Sequence, residues 1–326
     1  MHININKSNL AKKILSWYDN NKRILPWRIG EKSKKEQYYR ILSEFMLQQT
    51  QVKTVIPYFN RFVKKIPSLK SLSNSNEKTV LKLWEGLGYY SRAKNLHKTS
   101  KILIKKYNGQ IPENYKQLKE LPGIGDYTAS ILLAIIYNHP RIGLDGNVKR
   151  VLSRIFNTIP ENLNSLFKTK RNGHLAEALM EFGALICKPK DPNCYECRVK
   201  NACAYFSTES KKSYSKKIKI KLKNYDIFCY LNKNNKQMAL TKSNNLGFLT
   251  KLNLPKIKER YKKNKGWKFL CNYKNFISNK KLDINLYYKF SSQIPSQYNW
   301  YSLNEKNEFI PSFTKKIFKR VLHLYQ

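Results

Sequence analysis

The feature that most constrains this sequence is a group of four closely spaced cysteines, Cys187, Cys194, Cys197 and Cys203, in the pattern C-x6-C-x2-C-x5-C. The loop that joins them contains two prolines and can wrap its thiolates around one centre. Four cysteine thiolates are the ligands of a 4Fe–4S cluster. Structural zinc also takes four thiolates, but zinc sites usually contain two C-x2-C pairs, and here only Cys194 and Cys197 form one. The spacing therefore favours a 4Fe–4S cluster over zinc, and both over disulfides.

The chain is long enough for two domains and has the apolar content of a packed core. It contains 326 residues, of which 41% are hydrophobic. No apolar stretch approaches the roughly 18 residues that a membrane-spanning helix needs. The segment Met1–Trp17 is polar and lacks the apolar core of a signal peptide. We therefore expect a soluble intracellular protein, in which free thiols such as Cys229 and Cys271 are ordinary.

The net charge points to a polyanionic partner. Lysine and arginine together number 63 against 21 acidic residues, which gives a formal charge of +42 and a pI near 10.0. So basic a surface attracts nucleic acid before other partners. An alternative source of the charge is codon drift, because the excess is mostly lysine and is accompanied by many asparagines and isoleucines. The charge supports DNA binding without deciding it.

The pattern of apolar residues divides the chain into a helical part and a mixed part. From about Asn9 to Tyr205, apolar residues recur at helical spacing between short glycine and proline interruptions. A polar, basic stretch over residues 207–222 predicts a linker. Beyond it, the sequence predicts strands at Ile227–Leu231, Met238–Leu240, Trp267–Leu270 and Tyr287–Phe290 and a helix at Thr314–Leu324. The C-terminal part is therefore expected to be an α+β domain.

The motif Leu121–Gly125 (LPGIG) stands at the start of an apolar helix. Its two glycines, Gly123 and Gly125, expose backbone N–H groups at the positive end of the helix dipole, which together form a sequence-independent phosphate site. Such a turn can also simply separate two helices, without binding a phosphate. Because the helical segment Tyr115–Leu118 precedes it, we interpret the motif as a helix-hairpin-helix.

Asp145 begins another helix, in the segment Leu144–Val148 (LDGNV). Aspartate is among the best N-cap residues, so a purely structural role is the simple alternative. A capping role and a catalytic role are compatible, because a carboxylate fixed at a helix start is oriented and favoured in its ionised form.

Five sequence blocks make a family resemblance specific. Together with the helix-hairpin-helix, Asp145 and the cysteine loop, they make the chain resemble the endonuclease III-like DNA glycosylases and, among these, the adenine DNA glycosylases (MutY family). The blocks are Leu25–Arg28 (LPWR), Ser43–Val52 (SEFMLQQTQV), Trp84–Ala93 (WEGLGYYSRA), Leu144–Arg150 (LDGNVKR) and Glu181–Ala184 (EFGA). The resemblance is carried mainly by residues 10–205.

The resemblance implies a mainly α fold with two helical subdomains, an iron–sulfur cluster loop and a C-terminal α+β Nudix-like domain. Residues 1–206 are then the catalytic region. Within it, residues 28–136 are expected to form a six-helix module with the helix-hairpin-helix, and residues 1–27 with 137–206 the cluster subdomain. Residues 223–326 are expected to be the Nudix-like domain that recognises 8-oxoguanine.

Glu44 is the candidate general acid. It lies on the apolar helix Ile41–Leu47, and a carboxyl in apolar surroundings can stay protonated near neutral pH. The alternative is a helix carboxylate that faces solvent. By resemblance, Glu44 protonates adenine, and Asp145 stabilises the oxocarbenium-like sugar or bonds to it transiently while water completes the hydrolysis. This is the two-carboxylate chemistry of glycoside cleavage applied to an N-glycosidic bond.

Tyr127 decides between two reaction types. In relatives that also nick DNA, this position holds a lysine that attacks the sugar as an amine. Tyrosine cannot form a Schiff base, so the resemblance implies a monofunctional glycosylase in which Tyr127 shapes the sugar pocket.

Other site residues follow from the matched blocks. Because the target base must leave the duplex, the resemblance assigns Gln49 and Tyr89 to insertion into the base stack. Arg28 and Glu181 are expected to hydrogen-bond the extruded adenine. Trp27 is expected to line the pocket, and Asn147 to be oriented near Asp145. The alternatives are core aromatics for Trp27 and Tyr89 and a surface cation for Arg28.

Glu177 departs from the family pattern. The family commonly has glutamine four residues before the position of Glu181, and this chain has Glu177. A third carboxylate near the pocket either raises the proton affinity of its neighbours or faces solvent.

The C-terminal domain matches the family less well. The family's 8-oxoguanine-sensing loop reads F-S-H, and the corresponding residues here are Phe290, Ser291 and Ser292, so that serine replaces the histidine. We therefore expect weaker discrimination of 8-oxoguanine from guanine. The sequence lacks a Nudix catalytic box, so pyrophosphatase activity is not expected.

The resemblance implies double-stranded DNA with A:8-oxoguanine or A:G mispairs as the partner. It also implies a monomer without membrane association, located in the bacterial cytoplasm at the nucleoid. The cluster loop, with Lys188, Lys190, Arg198 and Lys200, is expected to present a basic surface to the DNA backbone. Two alternatives remain: an endonuclease III-type glycosylase with lyase activity, and a non-catalytic iron–sulfur DNA-binding protein.

Overall fold

The computed structural model describes the chain in two compact units that divide between Ser215 and Lys216. The described residues are 7–30, 33–161, 169–207, 221–243, 249, 252–260, 264–277, 280–304 and 309–325. The predicted linker, residues 207–222, lies almost wholly outside the described residues. Its last two positions belong to the first strand of the second unit, which begins at Lys221.

The first unit is helical, as the apolar spacing predicted. Its described helices are α1 (Lys7–Asn21), α2 (Lys34–Leu47), α3 (Val52–Lys65), α4 (Leu69–Asn74), α5 (Glu77–Leu83), α6 (Tyr90–Tyr107), α7 (Tyr115–Glu120), α8 (Asp126–Tyr137), α9 (Gly146–Phe156), α10 (Asn172–Leu185) and α11 (Ala204–Ser207). Polar side chains start several of them. The Ser33 and Asn114 side chains accept hydrogen bonds from first-turn N–H groups of α2 and α7, which satisfies donors that have no partner within the helix.

Helices α1, α9 and α10 enclose one apolar core. Trp17 of α1 and Phe182 of α10 meet edge to face with ring centroids 5.0 Å apart, and Val151 of α9 is fully buried in the same cluster. Cys187 and Cys203 pack against this cluster. Each large apolar side chain that is fully buried contributes about 1.5–3 kcal/mol to stability, so the core holds the cysteine loop against α9 and α10.

Helix α2 is the central element of the other helical layer. It packs against α3, α6 and α8, and its residues Tyr38 and Arg40–Met46 are all buried. Phe45, Phe59 and Trp84 are fully buried in this layer. Any functional group on the second half of α2 is therefore removed from bulk water.

In its described residues, the second unit is a six-stranded mixed sheet with an α-helix and a short 3-10 helix (Leu322–Tyr325). Its elements are β1 (Lys221–Asn232), β2 (Gln237–Leu240), β3 (Lys256–Glu259), β4 (Lys268–Ile277), β5 (Lys280–Phe290), β6 (Asn299–Ser302) and α12 (Ser312–Val321). The strand order is β4-β5-β1-β2-β6, and β3 pairs with β1. Strands β1 and β5 are parallel, with Asp226 beside Asn285 and Phe228 beside Tyr287. The other pairings are antiparallel.

The predicted strands and helix of this unit are all present. The first two predicted strands pair with each other as β1 and β2, with Leu231 opposite Met238, and the predicted C-terminal helix is α12. Helix α12 covers the face of the sheet that carries Tyr273 and Asn275, because Lys316 donates to Asn275 over 2.8 Å and Arg320 stacks on the Tyr273 ring. None of the described helices in either unit is long and apolar enough to cross a membrane.

Candidate active site and cysteine loop

Glu44 is buried on α2, with 7% of its surface exposed. Burial raises the pKa of Glu44 to about 7, and the negative charges of Glu177 and Asp145 add to this effect, while Arg40 and Arg28 oppose it. The alternative of a solvent-facing carboxylate is therefore wrong. Near neutral pH a large fraction of Glu44 carries a proton that it can donate.

Asp145 is the N-cap of α9, as its position in the sequence indicated. Its Oδ1 accepts from the backbone N–H of Val148 over 2.7 Å, and Asn147 Nδ2 donates to Oδ2 over 3.3 Å. Burial raises the pKa of Asp145, and these hydrogen bonds, together with the charge of Arg150, oppose the increase. The cap favours the ionised form, as expected, but burial has the larger effect on the pKa.

Tyr127 lies in the first turn of α8, and its hydroxyl contacts the sulfur of Met180 over 3.1 Å. Burial raises the pKa of Tyr127 well above its ordinary value, and the charges of Glu44 and Asp145 raise it further. Tyr127 is therefore close enough to both carboxylates for their charges to act on its hydroxyl. Helices α2, α8 and α9 thus bring Glu44, Tyr127 and Asp145 to one site.

Arg28 and Glu181 are brought into direct contact. Arg28 Nη2 donates to Glu181 Oε1 over 3.0 Å, and Arg23 donates to the same carboxylate through Nε and Nη2 over 2.8 and 3.0 Å. Glu181 is only 2% exposed. Trp27 is also buried and packs edge to face on Phe59. The surface-cation alternative for Arg28 is wrong, because its side chain is only 13% exposed.

Glu177 lies at the centre of the same network. Its carboxylate accepts hydrogen bonds from the Tyr18 hydroxyl, from Arg28 Nε and from Arg40 Nη1 over 3.0, 2.7 and 2.8 Å. Burial alone would raise the pKa of Glu177, but Arg40 and Arg28 outweigh burial and hold the pKa below its ordinary value. The solvent-facing alternative for Glu177 is therefore wrong. Its ionised carboxylate raises the proton affinity of Glu44, which was the other alternative.

Gln49, just after α2, and Tyr89, just before α6, have left-handed backbone conformations, with φ of 57° and 50°. Both side chains are exposed, Tyr89 by 39%, so Tyr89 is not a core aromatic. A positive φ in a residue other than glycine is uncommon and costs on the order of 1 kcal/mol, so surrounding contacts must hold it.

Arg92 supplies those contacts, although no role had been predicted for it from the sequence. Its Nη1 donates to the carbonyl oxygens of Phe45, Met46 and Gln48, at the end of α2. Its Nη2 donates to Gly88 over 3.1 Å. One buried guanidinium thus joins the residue before Gln49 to the residue before Tyr89. The sequence offered one indication of this role, because Arg92 lies three residues after Tyr89 in the block Trp84–Ala93.

The helix-hairpin-helix has the geometry that its glycines predicted. Gly123 has φ of +84°, and a Cβ there would lie 2.7 Å from Phe45 and 2.9 Å from Asn95, so only glycine fits. Gly125 is the N-cap of α8, and a Cβ at Gly125 would have no heavy atom within 4 Å. The open side of this turn leaves room for a phosphate at the helix N-terminus.

The four cysteines line one cavity between α9, α10 and the following loop. Arg154 donates through Nη1 to Cys187 Sγ over 3.3 Å, and Arg150 donates through Nε to the Cys187 carbonyl over 2.8 Å. Within the described parts of the chain, no three His, Cys, Asp or Glu side chains are arranged to hold a single metal ion. The four thiols border one shared space.

The C-terminal candidates lie at the end of β5. Phe290 is 36% exposed and contacts the rings of Tyr288 and Tyr325. The Ser291 N–H donates to Leu231 over 2.9 Å, and its hydroxyl donates to Gln293 over 2.6 Å. Ser292 is exposed. The turn is thus fixed by backbone and hydroxyl contacts, while Phe290 and Ser292 present side chains outward.

Residues 42–173 match the sequence model of the HhH-GPD superfamily base excision DNA repair proteins. The matched residues all lie in the helical unit. Glu44, Tyr127 and Asp145 lie inside the matched range, whereas Arg28 and the four cysteines lie outside it.

Curated proteins are also similar to part of the chain. The chain is 42% identical over 201 residues to an adenine DNA glycosylase of Buchnera aphidicola subsp. Baizongia pistaciae, covering 58% of this chain and 56% of that protein. It is 37% identical over 209 residues to an adenine DNA glycosylase of Rattus norvegicus, covering 59% and 40%. The resemblance drawn from the motifs is confirmed over this part, and the chain spans little more than half of the first relative's length.

Solved structures share the fold of the helical unit. A thermostable thymine-DNA glycosylase aligns with a TM-score of 0.55 and 24% identity over 61% of this chain and 96% of that one. A trapped endonuclease III–DNA covalent intermediate aligns with a TM-score of 0.51 and 20% identity over 62% and 97%. At these identities the likeness concerns the fold alone, and it confirms the predicted helix-hairpin-helix glycosylase fold.

Proposed function

We propose that this protein is an adenine DNA glycosylase of base excision repair that hydrolyses the N-glycosidic bond of adenine mispaired with 8-oxoguanine or guanine. The observation that carries this proposal is the convergence of Glu44, whose pKa is raised to about 7, with the capped carboxylate of Asp145. Glu44 can supply a proton, and the carboxylate of Asp145 can stabilise positive charge in the same site. The similarity to curated adenine DNA glycosylases supplies the substrate class.

In the proposed reaction, Glu44 gives its proton to a ring nitrogen of adenine. The bond between the sugar C1′ and the base nitrogen then breaks, and its electron pair leaves with the neutral base. The carboxylate of Asp145 stabilises the positive charge that develops on the sugar. Water adds to C1′ and its proton passes to the carboxylate of Glu44, which restores the charges of the site.

The base reaches this site by extrusion from the duplex. Gln49 and Tyr89, which are exposed at the ends of the two segments joined by Arg92, are the proposed wedge. The open backbone at Gly125 is the proposed phosphate contact, which fixes the protein on the strand without sequence preference. Arg28 and Glu181, which are hydrogen-bonded to each other beside Glu177, are proposed to form the wall that receives the adenine. Trp27, next to Arg28 in the chain, is proposed to line it.

We infer a monofunctional reaction from Tyr127. A lyase step needs an amine that forms a Schiff base with the opened sugar, and Tyr127 places a hydroxyl beside Glu44 and Asp145 instead. Trapping with borohydride distinguishes the two reaction types. Little or no covalent enzyme–DNA adduct is expected, and efficient trapping would instead support the endonuclease III-type alternative.

The four cysteines are proposed to hold a 4Fe–4S cluster. They fit this group because all four line one cavity and none is used in a disulfide. When bound, the cluster ties the loop into a fixed shape. We propose that the loop then presents the charges of Lys188, Lys190, Arg198 and Lys200 to the DNA backbone. Each phosphate contact that they make is expected to steepen the fall of DNA affinity with rising salt concentration.

The second unit is proposed to be a Nudix-like domain that senses the base opposite adenine through Phe290 and Ser291. Ser292 offers a shorter side chain than the histidine of the family loop, so the preference for 8-oxoguanine over guanine is expected to be reduced. Single-turnover rates on the two mispairs test this point. An undiminished preference would contradict it.

The decisive experiment measures adenine release from an A:8-oxoguanine duplex by the wild type and by Glu44→Gln. Glutamine keeps the shape of the side chain and cannot donate the carboxyl proton, so we expect the rate to fall by at least about a hundredfold. Equal release by both proteins would overturn the proposed function. Retained DNA binding by the variant separates lost chemistry from lost folding.

A further inference from the structure

The sheet of the second unit carries several aromatic side chains on the face away from α12. On this face, β1 contributes Phe228 and Tyr230 and β5 contributes Tyr287, as the parallel register of these strands requires. Phe269 of β4 lies opposite Tyr287, and Trp267 lies just before β4. We call these five side chains the aromatic face.

The rings of the aromatic face form a continuous array. Trp267 meets Phe228 and Tyr230 with centroids 5.0 and 4.8 Å apart. Phe228 stacks on Tyr287 at 5.4 Å, with the ring planes inclined by 18°, and Tyr287 meets Phe269 at 5.6 Å. Phe269 is 57% exposed. Phe228 is thus held between its neighbours, while the outer rings of the array offer free surface.

Cations border the array. Trp267 and Phe228 line a cleft of about 480 Å³ together with Lys256, Lys258 and Lys265. Lys256 Nζ lies 5.9 Å from the Phe228 ring centroid. The aromatic surface therefore adjoins a positively charged rim.

The acidic groups in the cleft are already engaged by protein groups. The carboxylate of Asp226 accepts from Asn264 and Asn285 over 3.1 and 3.2 Å and lies 3.7 Å from Arg260. Glu259 pairs with Lys223 at 3.5 Å. The three lysines of the rim thus outweigh the free negative charge, and the cleft suits an anionic ligand.

We propose that the aromatic face binds a segment of single-stranded DNA, with unstacked bases on the exposed rings and phosphates at the lysine rim. Partly exposed aromatic side chains beside a cationic groove are the two components of sequence-tolerant single-strand binding, since every base has a face that can stack and every nucleotide carries a phosphate. Phe290 lies outside the aromatic face. Its ring contacts Tyr288 and Tyr325, and its side chain is on the opposite face of β5 from that of Tyr287.

The location is tested by photo-cross-linking of the full-length protein to a short oligothymidylate that carries a halogenated uracil. Peptides that contain Trp267, Phe269 or Tyr287 are expected to bear the cross-link, because these rings are partly exposed. Cross-links confined to the helical unit would overturn the proposal.

The energetics are tested with a matched pair of variants on β4. Phe269→Ala removes an exposed ring of the aromatic face, whereas Phe276→Ala removes a ring that is 61% exposed at the other end of the same strand. The affinity for oligothymidylate is expected to fall by about tenfold in Phe269→Ala, which is the loss of one base stack, and to stay unchanged in Phe276→Ala. Equal affinities for the two variants would overturn the proposal.

Salt dependence separates stacking from charge. Phe269→Ala is expected to leave the slope of log affinity against log salt unchanged, while the double substitution Lys258→Gln and Lys265→Gln reduces it, because fewer counterions are released. A melting temperature that falls in Phe269→Ala with no change in DNA affinity would indicate that the ring is covered by protein, and would refute the proposal. Adenine release is measured separately, so its outcome does not decide this one.

Discussion

Arg28 donates a hydrogen bond through Nε to Oε1 of Glu177 over 2.7 Å, and the two side chains are only 13% and 6% exposed. Arg40 donates to the same oxygen over 2.8 Å. The two arginines hold Glu177 in its ionised form, while burial favours the protonated form of Glu44 nearby. The site therefore contains one charged and one protonatable glutamate, and their different surroundings separate their pKa values.

The charge of Glu177 is expected to set the pH range of activity. In Glu177→Gln, the side chain keeps its shape but no longer repels the ionised form of Glu44, and Arg28 and Arg40 act on Glu44 without compensation. The pKa of Glu44 then falls from about 7, so the loss of activity on the basic side of the profile moves to lower pH. Single-turnover rates of adenine release against pH measure this shift. A profile that keeps its midpoint while the rate drops uniformly would assign Glu177 a purely structural role.

Glu44 is expected to lower the stability of the folded protein at alkaline pH. Its carboxyl keeps a proton up to about pH 7 in the folded state but releases it near pH 4.5 when unfolded. Between these values the folded protein binds more protons, so the free energy of unfolding falls as the pH rises, by a total on the order of 3 kcal/mol.

Glu44→Gln removes this penalty, because glutamine does not ionise. The variant is expected to melt at a higher temperature than the wild type at pH 8 and at a similar temperature at pH 5. Calorimetry of both proteins at the two pH values measures the effect. The same difference at pH 5 and pH 8 would show that packing rather than ionisation is responsible.

Arg92 is expected to act through the exposed residues that it positions. Lysine at this position keeps the positive charge but cannot reach the carbonyls on both segments at once. In Arg92→Lys we expect the single-turnover rate on duplex DNA to fall by about tenfold, which corresponds to about 1.4 kcal/mol in the barrier. Arg61→Lys is the matched control, because Arg61 also donates to a backbone carbonyl but contacts Leu83 instead.

The coupling of Arg92 to the wedge is measured by a double-mutant cycle with Tyr89→Ala. If Arg92 acts by holding Tyr89, the Arg92→Lys substitution has less effect when Tyr89 is already absent. Additive losses would indicate that Arg92 contributes only general stability.

The cysteine loop is expected to contain iron rather than zinc. Metal analysis of the purified protein should give about four irons per chain, as a 4Fe–4S cluster requires. Cys197→Ser is expected to lose iron and to bind DNA more weakly. Cys271→Ser, a free half-buried thiol in the second unit, should retain both properties. One zinc per chain in the wild type would contradict the cluster assignment.

Much of the architecture was predictable because it is encoded locally. Helical spacing of apolar residues gave the first unit, alternation and turn residues gave the strands, and the glycines at 123 and 125 gave the hairpin. Asp145 was recognisable as a helix cap from its neighbours alone. The residue types at Glu44 and Tyr127 likewise indicated which chemistry each side chain can perform.

The sequence could not decide which side chains meet, because contacts between distant segments depend on packing. It left Glu177 with two opposite roles and gave Arg92 none, since a buried arginine and an exposed one look the same in a sequence. Only the tertiary structure placed Glu177 between Arg28 and Arg40, and Arg92 between two loops. The sequence by itself determined the fold class and the reacting groups, whereas tertiary packing, by removing water and adding neighbouring charges, decided their protonation and their alignment.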